Sequence, residues 1–155
     1  MEIRTIQIPK SVQAEHEEIH STLVEATKAP GQVGIAATEL ARVLHPHFVR
    51  EEQIALPPLG LLAPLAAGDH LPETIVSEAL SMTDSLRSEL PQMLEEHKAI
   101  RAAVEKLRLA ARATHAVKYE RLSEQLALHA QTEEQVLYPA AILVGDIIRS
   151  RLKHI

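Results

Sequence analysis

The sequence predicts an all-α fold: an antiparallel four-helix bundle of up-down-up-down topology, built from two similar αα-hairpins and followed by a short C-terminal helix. Apolar residues recur every three or four positions, no segment alternates as a strand does, and proline and glycine divide the chain into four long segments with mostly short connections. The chain has 155 residues, of which 46% are hydrophobic. This length and composition fit a single domain, residues 1–155, with a sizeable core.

The first hairpin covers residues 9–57 approximately. Its first helix begins near Pro9, because proline suits the first turn of a helix, and ends before the turn signal Ala29-Pro30-Gly31. Its second helix runs from about Gln32 to Leu56, and we expect Pro46 to kink it by removing one backbone hydrogen bond. The predicted inner faces are Val12, His16, Ile19 and Leu23 in the first helix, and Leu40, Leu44, His47, Glu51 and Ile54 in the second.

The second hairpin, residues 72–139, follows a leucine-rich connection, residues 57–71, that we expect to pack over one end of the bundle. A third helix extends from Pro72 to about Thr114, with a kink or a short break expected at Pro91. A fourth helix extends from about Val117 to Tyr138, and a tail helix, residues 140–155, caps the bundle or meets a partner. The predicted inner faces are Leu86, Leu90, Leu94, His97, Ile100, Val104 and Leu107, then Leu122, Leu126, His129, Glu133 and Val136, then Ile142, Leu143, Ile147 and Ile148.

Composition excludes several classes of function. The chain has no cysteine, which rules out disulfides, zinc–thiolate sites, iron–sulfur clusters and cysteine nucleophiles. The formal net charge is −5, so we expect no nucleic-acid partner, which would need a basic face. We expect no membrane partner either, because no apolar run is long enough to span a bilayer. The first residues lack the pattern of a signal peptide, and we therefore expect a cytoplasmic location.

An internal repeat is the most informative feature of the sequence. The segments His47–Pro57 and His129–Pro139 share the pattern His-x-x-x-Glu-Glu-Gln-aliphatic-x-x-Pro at an offset of 82 residues. Upstream, Glu15-His16-x-x-Ile19 matches Glu96-His97-x-x-Ile100 at an offset of 81. Each hairpin therefore contributes one histidine from its first helix and a His-x-x-x-Glu pair from its second.

The repeated residues predict a metal centre inside the bundle. Positions i and i+4 share one face of a helix, so the two members of each His-x-x-x-Glu pair point the same way. Both pairs, and the upstream histidines His16 and His97, stand in apolar helix faces at positions where leucine or isoleucine is expected. We therefore expect all of these side chains to point into the bundle. Buried carboxylates need a compensating cation, and histidine and carboxylate are normal metal ligands. The six predicted ligands are His16, His47, Glu51, His97, His129 and Glu133.

The ligand count suggests two metal ions. Four histidines and two glutamates form two equal half-sets. If each carboxylate bridges, each ion receives two nitrogens and two oxygens, and a bridging oxo or hydroxo group supplies a fifth donor. A set of nitrogen and oxygen ligands without sulfur suits iron or manganese, while zinc usually takes fewer ligands. The ligand set therefore predicts two ions of iron or manganese, with zinc as the less favoured alternative.

These residues resemble the hemerythrin-like family of HHE cation-binding domains. The resemblance is carried by Glu15-His16, His47-Phe48-x-x-Glu51-Glu52, Glu96-His97 and His129-x-x-x-Glu133-Glu134, which span about residues 10–140. It implies a four-helix bundle with a non-haem di-iron centre that binds dioxygen or related molecules, in which the histidines are terminal ligands and the glutamates at i+4 bridge. Another variant of the family uses the acid at i+5, here Glu52 or Glu134. Because i+5 lies about 140° around a regular helix from the histidine, we favour i+4.

One departure from the family affects the predicted function. Oxygen-carrying members have a His-x-x-x-His pair on the third helix, whereas here Met93 and Arg101 stand one turn either side of His97. The ligand set is saturated and lacks an obvious acid–base pair, so we predict a protein that binds or senses a small molecule such as dioxygen, nitric oxide or peroxide. The missing fifth histidine motivates the alternative, a di-iron redox enzyme with peroxidase, catalase-like or nitric-oxide-reducing activity. The pattern specifies no catalytic acid–base pair and no protein partner.

Further residues are candidates for supporting roles. His20, one turn after His16, is predicted as an additional ligand, a residue that supports the ligands, or a residue at the helix edge. Tyr138 either donates a hydrogen bond to the site or packs in the core, and Arg101 pairs with Glu52 or Glu134 or extends outward. The acids that precede the upstream histidines, Glu15 and Glu96, are candidates for orienting a ligand. The histidines predicted at the surface include His45, His70 and His115.

Overall fold

The protein is helical throughout the part of the chain that the structure covers. The computed structural model describes residues 5–153, and this range contains no strand, in agreement with the predicted all-α class. The helices in chain order are α1 (Lys10–Thr27), α2 (Gly31–Ile54), α3 (Leu62–Ala66), α4 (Glu73–Ala113), α5 (Val117–Thr132) and α6 (Tyr138–Leu152). A 3₁₀ turn, Pro57–Leu61, precedes α3, and a π-helical turn, Glu133–Leu137, joins α5 to α6.

The long helices pack as a helical bundle around an apolar interior. Helix α1 contacts α2 and α5, and α4 contacts α2, α5 and α6. The enclosed side chains form one continuous apolar cluster at the end of the bundle nearest the α1–α2 and α4–α5 turns. Its largest members are Ile19, Leu23, Leu40, Leu44, Phe48, Ile100, Leu107, Leu122 and Leu126. The predicted face of α4 is corrected at one position, since Leu94 is exposed and Met93 is buried. Met93 fits because it continues the alternating spacing of three and four residues from Leu90 to His97.

Prolines precede three of the long helices, and two further prolines lie inside helices without interrupting them. Pro9, Pro30 and Pro72 each stand directly before a helix in extended backbone. Pro46 lies inside α2 and Pro91 inside α4, yet both helices continue through them. The short break considered at Pro91 is therefore not observed. An interior proline costs a helix roughly 3 kcal/mol, and burial of apolar side chains on both sides of each proline offsets that cost.

The connection between α2 and α4 packs against the bundle, as its leucines predicted. Leu59, Leu61 and Leu65 are buried in the 3₁₀ turn and in α3. Leu61 and Leu65 belong to an apolar cluster with Val144 and Ile148 of α6. The connection therefore packs against α6 and covers that end of the bundle.

Helix α6 differs from the predicted tail helix. It begins at Tyr138 rather than Ala140 and is continuous with α5 through the π-helical turn, and residues 154 and 155 lie outside the described part of the chain. Val136, Leu143 and Ile147, predicted to face inward, are exposed. Val136 lies within the wider π turn, and the buried face of α6 follows Tyr138 at spacings of three, three and four residues, which leaves Leu143 and Ile147 outside it. The side chains buried instead include Ala141, Val144 and Ile148. Gly145 permits close packing on α4, since a Cβ there would lie 2.2 Å from Thr83 Oγ1.

Candidate metal centre

All six predicted ligands lie in the bundle interior. Four helical segments supply them: α1 carries one histidine, α2 carries a His-x-x-x-Glu pair, α4 carries one histidine, and α5 with the π turn carries the second pair. Their exposed fractions are 2% for His16, 2% for His47, 0% for Glu51, 1% for His97, 5% for His129 and 1% for Glu133. Charged and polar side chains of this kind are rarely buried so completely unless they are paired or bind an ion.

The structure brings five of the six side chains into two groups that share Glu133. In the first group, His16 Nε2 lies 3.1 Å from His129 Nε2, and these nitrogens lie 3.8 and 3.3 Å from Glu133 Oε2. In the second group, His47 Nε2 lies 2.9 Å from His97 Nε2, which lies 3.4 Å from Glu133 Oε1. Glu133 therefore directs one oxygen to each pair of histidines. Each pair joins a histidine of the first half of the chain to one of the second half.

Glu51, the sixth predicted ligand, lies beside the second group only. Its Oε1 is 3.2 Å from His47 Nε2, and its Oε2 accepts a hydrogen bond of 2.9 Å from the Tyr138 hydroxyl. The two glutamates thus differ in this structure. Glu133 lies between the two histidine pairs, and Glu51 lies between His47 and Tyr138.

Each of the four histidines turns its second ring nitrogen, Nδ1, towards a different carboxylate. His97 Nδ1 donates a hydrogen bond of 2.9 Å to Glu134, and His129 Nδ1 donates one to Glu15. The other two contacts, His16 with Glu52 and His47 with Glu96, measure 3.5 Å and are longer than a direct hydrogen bond. For His97 and His129, the hydrogen-bonded carboxylate holds the proton on Nδ1, which leaves the Nε2 lone pair free to face inward.

The inward-facing atoms need a cation. The Nε2 atoms meet in pairs at 2.9 and 3.1 Å, where two lone pairs repel each other unless a proton or a metal ion lies between them. Two carboxylate oxygens beside these nitrogens are also buried and have no hydrogen-bond partner in the described part of the chain: Glu51 Oε1 next to His47 and Glu133 Oε2 next to His129. Leaving such groups unpaired costs about 1–3 kcal/mol each, and more when they are charged. The donor set therefore fits bound metal ions.

Without metal, the two glutamates form an acid–carboxylate pair. Burial raises the pKa of Glu51 well above its usual range, and the adjacent Glu133 raises it further. Burial also opposes ionisation of Glu133, but its close contacts with Glu51 and with the rings of His129, His16 and His97 hold its pKa well below the usual range. Like charges this close cannot both ionise freely. Glu51 therefore holds a proton that an incoming cation must displace.

Neighbouring groups also set the protonation of two histidines and of the tyrosine. Burial, with the adjacent His97, lowers the pKa of His47. Burial acts in the same direction on His129, but the nearby Glu133 carboxylate and the hydrogen bond to Glu15 outweigh it and raise the pKa of that ring. Burial and the nearby Glu51 raise the pKa of Tyr138, so its hydroxyl keeps its proton and acts as a donor.

The π-helical turn places Tyr138 in the site. On a regular α-helix Tyr138 would point about 140° away from Glu133, because the two residues are five apart. Here the Tyr138 N–H donates to the Glu133 carbonyl, the i+5 hydrogen bond of a π turn, which brings both side chains towards one face. The same bond occurs in the first half of the chain, where the Leu56 N–H donates to the Glu51 carbonyl across 2.9 Å.

The supporting residues predicted from the sequence take definite positions. Arg101 forms an ion pair of 2.8 Å with Glu134, and this contact, with that of His97, holds the pKa of Glu134 below its usual range. Tyr138 both donates a hydrogen bond and packs in an apolar cluster with Met93. His20 is exposed and lies outside both metal-binding groups. Glu52 and Glu134, the acids at i+5, face the outer nitrogens of histidines rather than the two groups.

Two features of the site were not anticipated from the sequence. The pairing of histidines between the halves of the chain was not predicted, and neither was the π turn. A signal for the π turn was present, because Pro57 and Pro139 follow the two i+4 glutamates at the same distance and neither has an N–H to continue the helical pattern. The repeat also contains the second glutamate of each Glu-Glu pair, Glu52 and Glu134, which indicated that these residues do more than solvate a helix face.

Comparisons of the chain with protein-family models, with characterised proteins and with solved structures found no match. The functional argument therefore rests on the residues and their geometry. Within residues 5–153, no helix is both long enough and apolar enough to cross a membrane.

Proposed function

We propose that this protein binds two iron ions in the bundle interior and uses them to bind or sense a small molecule. The observation that carries the proposal is the pair of buried groups, each made of two histidines and one carboxylate, that share Glu133. Two histidines and a carboxylate with open positions form the ligand set typical of non-haem iron(II). A carboxylate that directs one oxygen to each group is suited to bridging two ions.

The donor types favour iron or manganese over zinc. Each group offers imidazole nitrogens and a carboxylate oxygen without sulfur, a set that would suit iron or manganese and would leave positions for an additional ligand.

The site also supports the resemblance to hemerythrin-like proteins and an antiparallel arrangement of two repeated hairpins. The i+5 hydrogen bonds of Leu56 and Tyr138 occupy matching positions in the two halves. The outer carboxylates match as well: the i+5 glutamate faces the upstream histidine of its own hairpin, and the glutamate before each upstream histidine faces the other hairpin. A duplicated hairpin would account for both the matching i+5 hydrogen bonds and the matching outer carboxylates.

When bound, the ions supply redox chemistry and coordination positions for dioxygen, nitric oxide or peroxide. The protein's own residues hold the ions, exclude water and control protons. Glu134 and Glu15 orient the imidazoles of His97 and His129, and Glu51 would release its proton as the cation enters. The absence of cysteine fits a protein of the reducing cytoplasm, where ferrous iron persists.

A redox enzyme is the second candidate function, and Tyr138 favours it. Its protonated hydroxyl lies 2.9 Å from Glu51 and 3.1–3.2 Å from the Nε2 atoms of His97 and His47. A buried donor beside the second group can deliver or orient a proton for a bound small molecule. Catalytic turnover of peroxide or nitric oxide would distinguish this function from simple binding.

Metal analysis of protein purified without chelator tests the proposal. We expect two irons per chain and, after oxidation, near-ultraviolet absorption from an oxo-bridged ferric pair. A colourless protein with zinc would contradict the choice of iron, and a chain that binds no metal after anaerobic loading would contradict the metal centre itself. Stopped-flow mixing of the reduced protein with peroxide then separates the two functions: stoichiometric bleaching supports binding, and repeated turnover supports the enzyme.

A further inference from the structure

The candidate metal centre is buried within the described part of the chain, so an ion must pass between side chains to reach it. The five side chains of the two groups are at most 5% exposed. A cavity of about 350 Å³ lies between α1 and α2 on the outer side of the first group. Its lining includes His16 of the centre, Glu52, Phe48 and two histidines nearer the surface, His20 and His45.

The two outer histidines are placed to bind one ion together. His20 and His45 are exposed, and their ring centres are 6.2 Å apart. Two imidazoles on one ion, with nitrogen–metal lengths of about 2.1 Å, place their ring centres roughly 4.5–6.5 Å apart, and the observed separation places the two rings on nearly opposite sides of the ion. Glu17 and Glu52 also line the cavity and make it attractive to cations. Two protein ligands completed by water give a weak site, which suits capture and release.

His16 forms the wall between this cavity and the centre. Its Nε2 faces His129, while its Nδ1 is buried, has no hydrogen-bond partner in the described chain and lies 3.5 Å from Glu52 on the cavity side. The ring of Phe48 stacks on the His16 ring with centres 4.0 Å apart and also lines the cavity. Movement of these two stacked rings would join the cavity to the first group.

We propose that His20 and His45 form a capture site for a divalent transition-metal ion at the entrance to the buried centre. Glu52 and His16 then receive the ion from this site, and Phe48 restricts its passage. The proposal deepens the proposed function and rests on it, because it assigns the route by which the centre is loaded. The second cavity beside the first group, which Glu18 and His129 line between α1 and α5, is the competing entrance.

Loading kinetics of the full chain test the route. Chelator-stripped protein is mixed anaerobically with Co(II) at low concentration, and the visible absorption of bound cobalt is followed. We expect the His20→Ala/His45→Ala variant to load about tenfold more slowly, with unchanged final stoichiometry, because capture raises the local ion concentration. The matched control His70→Ala/His115→Ala removes two exposed histidines elsewhere and should load at the wild-type rate. Equal rates for both double variants, or slowing by Glu18→Gln instead, would overturn the proposal.

A second measurement keeps this inference separate from the proposed function. In a Glu133→Gln variant, whose tight centre is removed, substoichiometric Co(II) should still broaden or shift the imidazole NMR signals of His20 and His45 before those of His70 and His115. Absence of that selectivity would refute the capture site even if the centre binds iron. Wild-type protein that binds no metal at its centre would refute the proposed function, while the NMR result still decides the capture site.

Removing the aromatic ring of Phe48 should speed metal loading, whereas removing His20 and His45 should slow it. Phe48→Leu keeps an apolar side chain but removes the ring that stacks on His16. We expect it to load Co(II) faster than the wild type, with the same stoichiometry. Loading at an unchanged or lower rate by folded Phe48→Leu protein, checked by circular dichroism, would contradict the role of Phe48 as the restriction.

Discussion

The hydroxyl of Tyr138 donates a hydrogen bond to Glu51 Oε2 across 2.9 Å. The repeat places Leu56 at the position in the first half that Tyr138 occupies in the second. Both residues are fully buried and both make the i+5 backbone bond, so the halves differ here in side-chain chemistry rather than in backbone. The second group, with His47 and His97, therefore has a hydroxyl donor beside it, which makes the two groups inequivalent.

Removing this hydroxyl should destabilise the metal-free protein. Tyr138→Phe keeps the ring but leaves Glu51 Oε2 without its donor, so we expect a loss of about 1–3 kcal/mol in the free energy of unfolding. Urea denaturation in the presence of chelator measures the change. Tyr119→Phe, outside the site, is the control and should unfold as the wild type does. Equal stability of the Tyr138→Phe and wild-type proteins would show that the hydrogen bond contributes nothing.

Glu133 should be needed for both ions. It directs one oxygen to each histidine pair, so Glu133→Gln removes a charged ligand from both groups while keeping the side-chain size. We expect metal content to fall from two ions per chain to fewer than one, as measured by elemental analysis after equilibrium dialysis. The neighbouring Glu134→Gln is the matched control and should retain two ions. Two ions bound by the Glu133→Gln variant would contradict the shared-ligand arrangement.

The sequence predicted the helices and the buried side chains more fully than it predicted their contacts. Periodicity alone placed His16 and His97 on inner faces, because an inner face is a property of one helix. Which histidines meet depends on how helices pack against each other, and no single helix carries that information. The inward position of Tyr138 depends on one extra residue in the π turn, and a regular 3.6-residue period does not register that change.

The outer carboxylates should tune metal affinity without changing stoichiometry. Glu134 accepts a hydrogen bond from His97 Nδ1 and is held in place by Arg101. Loss of such a partner typically lowers metal affinity about 10–100-fold, so we expect Glu134→Gln to bind two ions with affinity reduced by that factor. Competition with a chelator of known affinity measures it. Glu95→Gln, an exposed acid on the same helix as His97, is the control. Equal affinities for the two variants would indicate that the contact to His97 has no effect on binding.

The stability of the metal-free protein should depend on the protonation of Glu51. Its pKa is raised in the folded state by burial and by Glu133, while the unfolded chain has the ordinary value. Between these two values the native state binds more protons than the unfolded state, so the free energy of unfolding falls as pH rises, by up to about 1.4 kcal/mol per pH unit. The contribution of the protonated side chain is fully present below the unfolded-state pKa and is lost as pH rises through the folded-state pKa.

Glu51→Gln isolates this dependence, because glutamine has nearly the same shape and does not titrate. We expect the variant to gain stability relative to the wild type as pH rises from about 5 to 8, in contrast to Glu95→Gln, whose difference from the wild type should stay constant. Urea denaturation at several pH values with chelator present gives both differences. If the Glu51→Gln and wild-type curves run parallel across this range, Glu51 does not hold a proton in the folded, metal-free protein.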